Sequence, residues 1–271
     1  MSDANQTLLV REDGPVLTIT FNRPEARNAF LLPMYDRLAE AVTGVAARPH
    51  LRAVVFTGAG GKAFGSGTDI SEFRDFTRAE QALRYEHRLE EIVRIVENCP
   101  VPTVAAVAGA CTGGALMIAA CSDIRIATPD AAFGIPVART LGNCLSASNL
   151  ARLAALMGKG RVMNMLLTAR LMSGTEALAA GFVTELAADP AALAAAAHAT
   201  ALLLAGNAPI TMRVTKEALR LVTSPATCAD QGAADLRAAE DRLILDAYLS
   251  EDFREGVAAF LGKRKPAWRG R

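Results

Sequence analysis

The chain has 271 residues, 51% of them hydrophobic and 21% charged, enough for a sizeable buried core and incompatible with wholesale disorder. Lys and Arg number 29 against 28 Asp and Glu, so the net charge of +1 offers no basic surface for nucleic acid or an anionic membrane. Five cysteines (Cys99, Cys111, Cys121, Cys144, Cys228) are odd in number and lack C-x-x-C spacing, which reads as reduced thiols in a cytoplasmic protein.

The opening MSDANQTLLV has neither the basic nor the apolar region of a secretion signal, and the run ALAAAAHATALLLAG is too weak for a membrane span. Leu17, Ile19 and Phe21 alternate with Thr18 and Thr20, predicting a strand that Pro24 ends. Residues 33–47 place Leu38, Ala41, Val42 and Val45 at helical spacing, and RAVVFTG is a short buried strand closing on the glycine-rich TGAGGKAFGSGTDI. The spacing predicts a helix over 78–98, with Tyr85, Leu89, Ile92 and Val96 on one side. VPTVAAVAG (strand), GGALMIAAC (helix) and SDIRIAT (strand) follow. Strands alternating with helices and joined by right-handed crossovers call for an α/β fold with a parallel or mixed sheet. From about 145 the pattern turns helical, through NLARLAALMGKGRVMNMLLTAR and TEALAAG, with FVTELA as a brief strand. A boundary at GNAP divides a core, 1–205, from a helical region, 206–271.

Two glycine-bearing stretches carry chemistry. In KAFGSGTDI a glycine on each side of Ser66 permits positive φ and lets the N–H groups approach a ligand. Asp69 and Glu72 have the spacing of a capping pair, so a helix is expected from 70. In ACTGGALMIAAC a helix begins at Gly114 and is apolar on every face, so it must be buried. Its N-terminus leaves unpaired N–H groups and the positive end of the helix dipole aimed at something, a need that a carbonyl becoming an oxyanion would meet. Taken singly, each stretch reads equally as a turn or as packing punctuation.

Together, and with FNRPEARNAF upstream and FREGVAAFLGKRKPAW at the end, they resemble the crotonase (enoyl-CoA hydratase/isomerase) superfamily over essentially the whole chain. The resemblance implies a spiral of right-handed ββα turns with a C-terminal helical trimerisation region, assembled as a homotrimer or homohexamer. It implies an acyl-CoA substrate, with coenzyme A entering as part of that substrate and no separate cofactor or metal. The thioester oxygen would be held by the N–H groups of Ser66 and Gly114. Arg23, Ala26, Ala63 and Ile70 fall where relatives contact the CoA nucleotide, and Lys263 and Lys265 where tail residues approach its phosphates in a trimer. Both lysines read equally as a solvated basic tail.

The sequence departs from the family at its acids. Relatives that hydrate enoyl-CoA carry one glutamate three residues after the second oxyanion glycine and another in FG-x-P-E; here those positions hold Met117 and, in FGIPV, Val137. Neither side chain transfers a proton. The expectation is therefore a family enzyme with its ordinary hydration machinery gone, or else dehalogenase- or lyase-like acyl-CoA chemistry, or a non-catalytic acyl-CoA binder. Cys144, in TLGNCLS, falls where dehalogenating relatives hold a nucleophilic aspartate, although a free cysteine more often packs a core. His87 is the histidine nearest the expected site, on a polar face shared with Glu90, Glu91 and Arg94. Arg139 and Asn143 lie beside the same segment, and Asn143 has the amide to hydrogen-bond a substrate. Ser66 is not read as a nucleophile, because GSG lacks the full strand–G-x-S-x-G–helix context.

Overall fold

In the computed structural model, residues 4–74, 76–223 and 233–271 are described; Cys228 lies outside them. A short helix, α1 (Ala4–Thr7), leads into β1 (Leu8–Asp13), which pairs antiparallel with β2 (Val16–Phe21). The alternation at Leu17, Ile19 and Phe21 is the buried side of β2. β1 escapes sequence reading because Leu8 is its single buried residue, as suits an edge strand. α2 (Leu32–Thr43) buries Met34, Tyr35, Leu38 and Val42 before the chain enters β3 (Ala53–Gly58), parallel to β2.

One motif then repeats. β3 is followed by β4 (Ala63–Gly65) and α3 (Ala79–Glu97). β5 (Thr103–Val107) is followed by β6 (Ala110–Thr112) and α4 (Gly114–Cys121). β7 (Ile124–Ala127) is followed by β8 (Ala132–Gly134) and α5 (Ala147–Met157). The longer strand of each pass joins a six-stranded sheet, order β1-β2-β3-β5-β7-β10, and the shorter one a four-stranded sheet, order β4-β6-β8-β9. β9 (Met172–Ser173) runs antiparallel to β8, and β10 (Glu185–Leu186) parallel to β7; β3, β5 and β7 are parallel neighbours, as are β4, β6 and β8. Each pass thus lays one strand in each sheet and one helix beside them, which is the ββα spiral expected. All eight residues of α4 are buried, matching its apolar sequence.

Two local expectations change. The helix expected from 70 is a single 3-10 turn, Ile70–Phe73, capped by Asp69, whose carboxylate accepts from Ser71 N at 3.1 Å. Glu72 does not close a capping box; it accepts from Leu32 N at 3.3 Å, because the turn packs against the start of α2. The helical stretch after 145 is broken at Gly158, where φ of +81° ends α5 before α6 (Lys159–Leu167) begins.

Beyond α7 (Gly174–Ala179), α8 (Pro190–Ala205) buries Leu193, Ala197 and Ala201 in the core. α9 (Pro209–Thr223) is fastened to that core, since Lys216 Nζ donates to Asp123 Oδ2 at 2.6 Å and to Val101 O at 2.9 Å. α10 (Ala233–Tyr248) and α11 (Glu251–Leu261) complete the helical end. In these last helices Leu243 is buried within the chain, while Leu219 and Leu245 are 59% and 54% exposed. Among the described residues no single helix is long and apolar enough to cross a membrane.

Candidate functional site

The two glycine stretches meet because β4 and β6 are adjacent in the small sheet, so the chain leaves both strands at the same end. Gly67 follows β4 with φ +89°, Gly113 follows β6 with φ +58°, and the two backbones touch: a Cβ on Gly113 would lie 3.2 Å from Gly67 Cα. Positive φ and this close approach together require glycine at both positions. Gly114 is constrained differently, since a Cβ there would collide with the Tyr35 hydroxyl. The turns are braced from behind by Asn28, which is fully buried and whose Nδ2 donates to Ala63 O at 2.7 Å and Ala59 O at 3.0 Å.

Ser66 and Gly114 line one cavity of about 240 Å³. The Gly114 N–H opens α4, where the helix itself supplies no acceptor. Neither it nor the Ser66 N–H donates to a backbone acceptor among the described residues. The Ser66 hydroxyl turns to Ala26 O at 3.4 Å, which suits a residue whose contribution is its amide. The rest of the lining is largely apolar, with Met117, Ile135, Val137, Leu141 and Leu145. Met117 and Val137, the positions singled out as lacking an acid, both face this cavity.

The other sequence candidates divide. Cys144 is exposed, lines the cavity and is free of any disulfide; Asn143 lies beside it in the lining. Ile70, 63% exposed, is at the rim. Arg23, Ala26 and Ala63 are outside the lining: Arg23 Nη1 bonds Asp69 Oδ2 at 3.0 Å and Ala29 O at 2.7 Å, bracing the Ser66 loop, while Ala63 is buried in β4. The bonds from the Ser71 hydroxyl and N–H, and after them the Arg23 bond, hold the Asp69 carboxyl below its ordinary pKa. Lys263 and Lys265 are exposed on the segment after α11, away from the cavity of their own chain, and Arg139 is likewise outside it.

His87 does not share the cavity. It is exposed and outside the cavity, because one step along a helix turns the side chain by roughly 100° from its neighbour. That neighbour is Glu86, half-buried and facing the cavity. Sequence reading passed over Glu86, although it stands three residues before Leu89 and next to Tyr85, both on the inward face. Burial, and secondarily the charge of Glu90, push its carboxyl above the ordinary glutamate value. Beside it runs a chain of hydroxyls: Tyr85 Oη to Thr68 Oγ1 at 2.7 Å, and Thr68 Oγ1 to Tyr35 Oη at 2.9 Å. Burial pushes Tyr85 up to about 12 and Tyr35 higher still, so both phenols are neutral donors or acceptors near neutral pH.

Comparison with known proteins agrees with the architecture. The family model described as enoyl-CoA hydratase/isomerase matches residues 11–271. A short-chain-enoyl-CoA hydratase from Clostridium acetobutylicum is 30% identical over 95% of this chain and 95% of its own length. The crystal structure of an enoyl-CoA hydratase/carnithine racemase from Magnetospirillum magneticum superposes with a TM-score of 0.86 at 33% identity, covering 98% of this chain and 96% of that one. An enoyl-CoA hydratase structure from Bacillus anthracis gives a TM-score of 0.86 at 28% identity, over 98% of this chain and 100% of that one.

Proposed function

The chain belongs to the enoyl-CoA hydratase/isomerase family, and from that premise we propose that it processes an acyl-CoA thioester by stabilising the thioester enolate with the Ser66 and Gly114 N–H groups. The observation that carries this reading is the meeting of two glycine turns at one cavity, each presenting an amide without a protein acceptor among the described residues. Such donors strengthen their bonds as negative charge gathers on the carbonyl oxygen, and each contributes about 3 kcal/mol of transition-state stabilisation. The polarised thioester acidifies the α-carbon and makes the β-carbon electrophilic, so the surrounding side chains select the reaction.

Those side chains argue against ordinary hydration. Water addition needs a base for the water and an acid for the α-carbon, and Met117 and Val137 supply neither. Hydration of crotonyl-CoA is accordingly expected to be slow or undetectable. The second reading is a binder of acyl-CoA without turnover, favoured by the same apolar wall; dehalogenase- or lyase-like chemistry stays attached to the exposed Cys144.

The experiment is a panel of acyl- and enoyl-CoAs followed by mass spectrometry and thermal shift, on wild type and on a variant lacking the Gly114 amide. Gly114→Pro alone is unsuitable, because its Cβ would strike Tyr35 Oη; removing that hydroxyl leaves Tyr35 Cζ at an ordinary 3.5 Å. Proline is otherwise tolerated at the first helical position. Turnover present in Tyr35→Phe and lost in Tyr35→Phe/Gly114→Pro supports the enzyme; thermal shifts without any product support the binder.

A further inference from the structure

Glu86 stands apart from Glu90, Glu91 and Glu97 of its helix, and from the exposed Glu80 by its half-burial. Glu90 and Glu97 both pair with Arg152, at 2.8 and 3.0 Å, and Glu91 pairs with Arg88. Glu86 has no hydrogen-bond or ion-pair partner among the described residues, and among them it is the one carboxylate lining the cavity. It shares that lining with Ser66, Gly114, Met117 and Val137. An unpaired carboxylate held half-buried in a cavity costs stability, and groups kept at such a cost cluster at functional sites.

We propose that Glu86 is the proton-transfer group of this cavity, moving a proton to and from the carbon skeleton of the bound acyl thioester in place of a two-carboxylate water addition. The inference rests on the acyl-CoA reading given above. The Glu86 carboxylate takes a proton from the α-carbon. The C–H electron pair becomes the enolate C=C, and the carbonyl π pair moves onto the oxygen facing the Ser66 and Gly114 amides. The carboxylic acid so formed returns its proton to the α-carbon, or to the γ-carbon where a β,γ double bond is conjugated with the enolate. No water, oxidant or metal is consumed, and the carboxylate is regenerated. The substrate class is therefore an acyl-CoA with an acidic α-hydrogen, β,γ-unsaturated in the productive case.

Glu90 on α3 acts on Glu86, and Glu86 in turn on Tyr85 of α3 and Tyr35 of α2; Cys144 shares its cavity, and Arg152 on α5 pairs with Glu90. Tyr85 and Tyr35 are occupied with Thr68, and Arg152 is turned to Glu90 and Glu97. This leaves Glu86 without a neutralising cation, the condition in which a carboxylate is a stronger base than usual.

The test is deuterium incorporation from heavy water into the α-carbon of butyryl-CoA and migration of the double bond of a β,γ-enoyl-CoA, with butyryl-CoA affinity measured separately by calorimetry. Wild type is expected to perform both. Glu86→Gln is expected to lose at least about 100-fold in each rate while its Kd for butyryl-CoA stays within about threefold, Glu86→Asp to recover part of the rate, and His87→Ala to behave as wild type. Exchange in Glu86→Gln close to the wild-type rate overturns the proposal, as does a wild type that binds butyryl-CoA without exchanging it. A wild type that does not bind butyryl-CoA at all removes the acyl-CoA reading as well. Should Glu86→Gln not fold, the wild-type pH profile decides: exchange rising with pH through one ionisation above the ordinary glutamate value of 4.5 supports Glu86, and a flat profile overturns it.

Discussion

The two walls of the cavity are made by different means. One is backbone: Ser66–Gly67 and Gly113–Gly114 are delivered by adjacent parallel strands, and their amides are fixed by sheet register and by contacts that exclude even a methyl group. The other is side chain: Met117, Val137, Glu86 and Cys144 come from two helices and the 135–145 segment, and each could be exchanged without disturbing a strand. A backbone wall cannot be altered by ordinary substitution without breaking its packing, so under the proposed reading the grip on the carbonyl is the part that substitution leaves constant. The side-chain wall is free to change, and under the same reading it is the part that selects the reaction. One family can therefore hold to a single way of activating a thioester while its acids and bases move.

The largest effect that sharpens this contrast is expected at the side-chain wall. Glu86→Gln should lower α-proton exchange by about 10²–10⁴-fold with binding retained, read by mass spectrometry and calorimetry. Next comes the backbone wall, where Tyr35→Phe/Gly114→Pro should lose about 10²–10³-fold in turnover relative to Tyr35→Phe, with helical circular dichroism unchanged. If instead the double variant turns over as fast as its parent, the two walls do not divide the work as argued. Gly113→Ala should show the cost of touching backbone packing. Its φ of +58° and the 3.2 Å approach to Gly67 Cα are expected to cost about 1–3 kcal/mol, measured by chemical denaturation.

A smaller effect follows from the raised pKa of Glu86. A raised carboxyl pKa in the folded state means that the folded chain favours the protonated form. Its contribution to stability is full below the unfolded value near 4.5 and is lost as pH rises through the folded value. Glu86→Gln should therefore melt above wild type at neutral pH, with the gap closing as pH falls below that range. Equal gaps at both pH values would contradict a carboxylate kept in an unfavourable site. The smallest effect is expected for Cys144→Ser, which should leave α-proton exchange within about threefold of wild type; a collapse would move the chemistry to the thiol.

Much of this fold was legible in the residues. Leu17, Ile19 and Phe21 declared β2, the inward stripe from Tyr85 to Val96 declared α3, and the unbroken apolar run after Gly114 declared a helix buried on every side. The small sheet was not legible, because β4, β6 and β8 have three residues each, too few for any period to show. β1 was hidden by its exposure, and the break at Gly158 by helical residues on both sides of it. In the site, the glycines were legible because positive φ restricts residue choice. Glu86 was not, since a charged residue on a helix usually faces solvent and only its neighbours across space show otherwise.

The sequence by itself determined the backbone of this protein. Its glycine positions, apolar periodicities and four ordered motifs point to one family of folds, since φ preferences and side-chain burial act locally or repeat at fixed intervals. It also determined that Met117 and Val137 cannot carry protons, which is a property of their side chains alone. The tertiary structure decided which acid faces the cavity, that Arg23 braces a loop, and that Gly114 is held against Tyr35. Those facts depend on distances between residues far apart in the chain, set by how β4, β6 and α3 stack, and no local pattern encodes them.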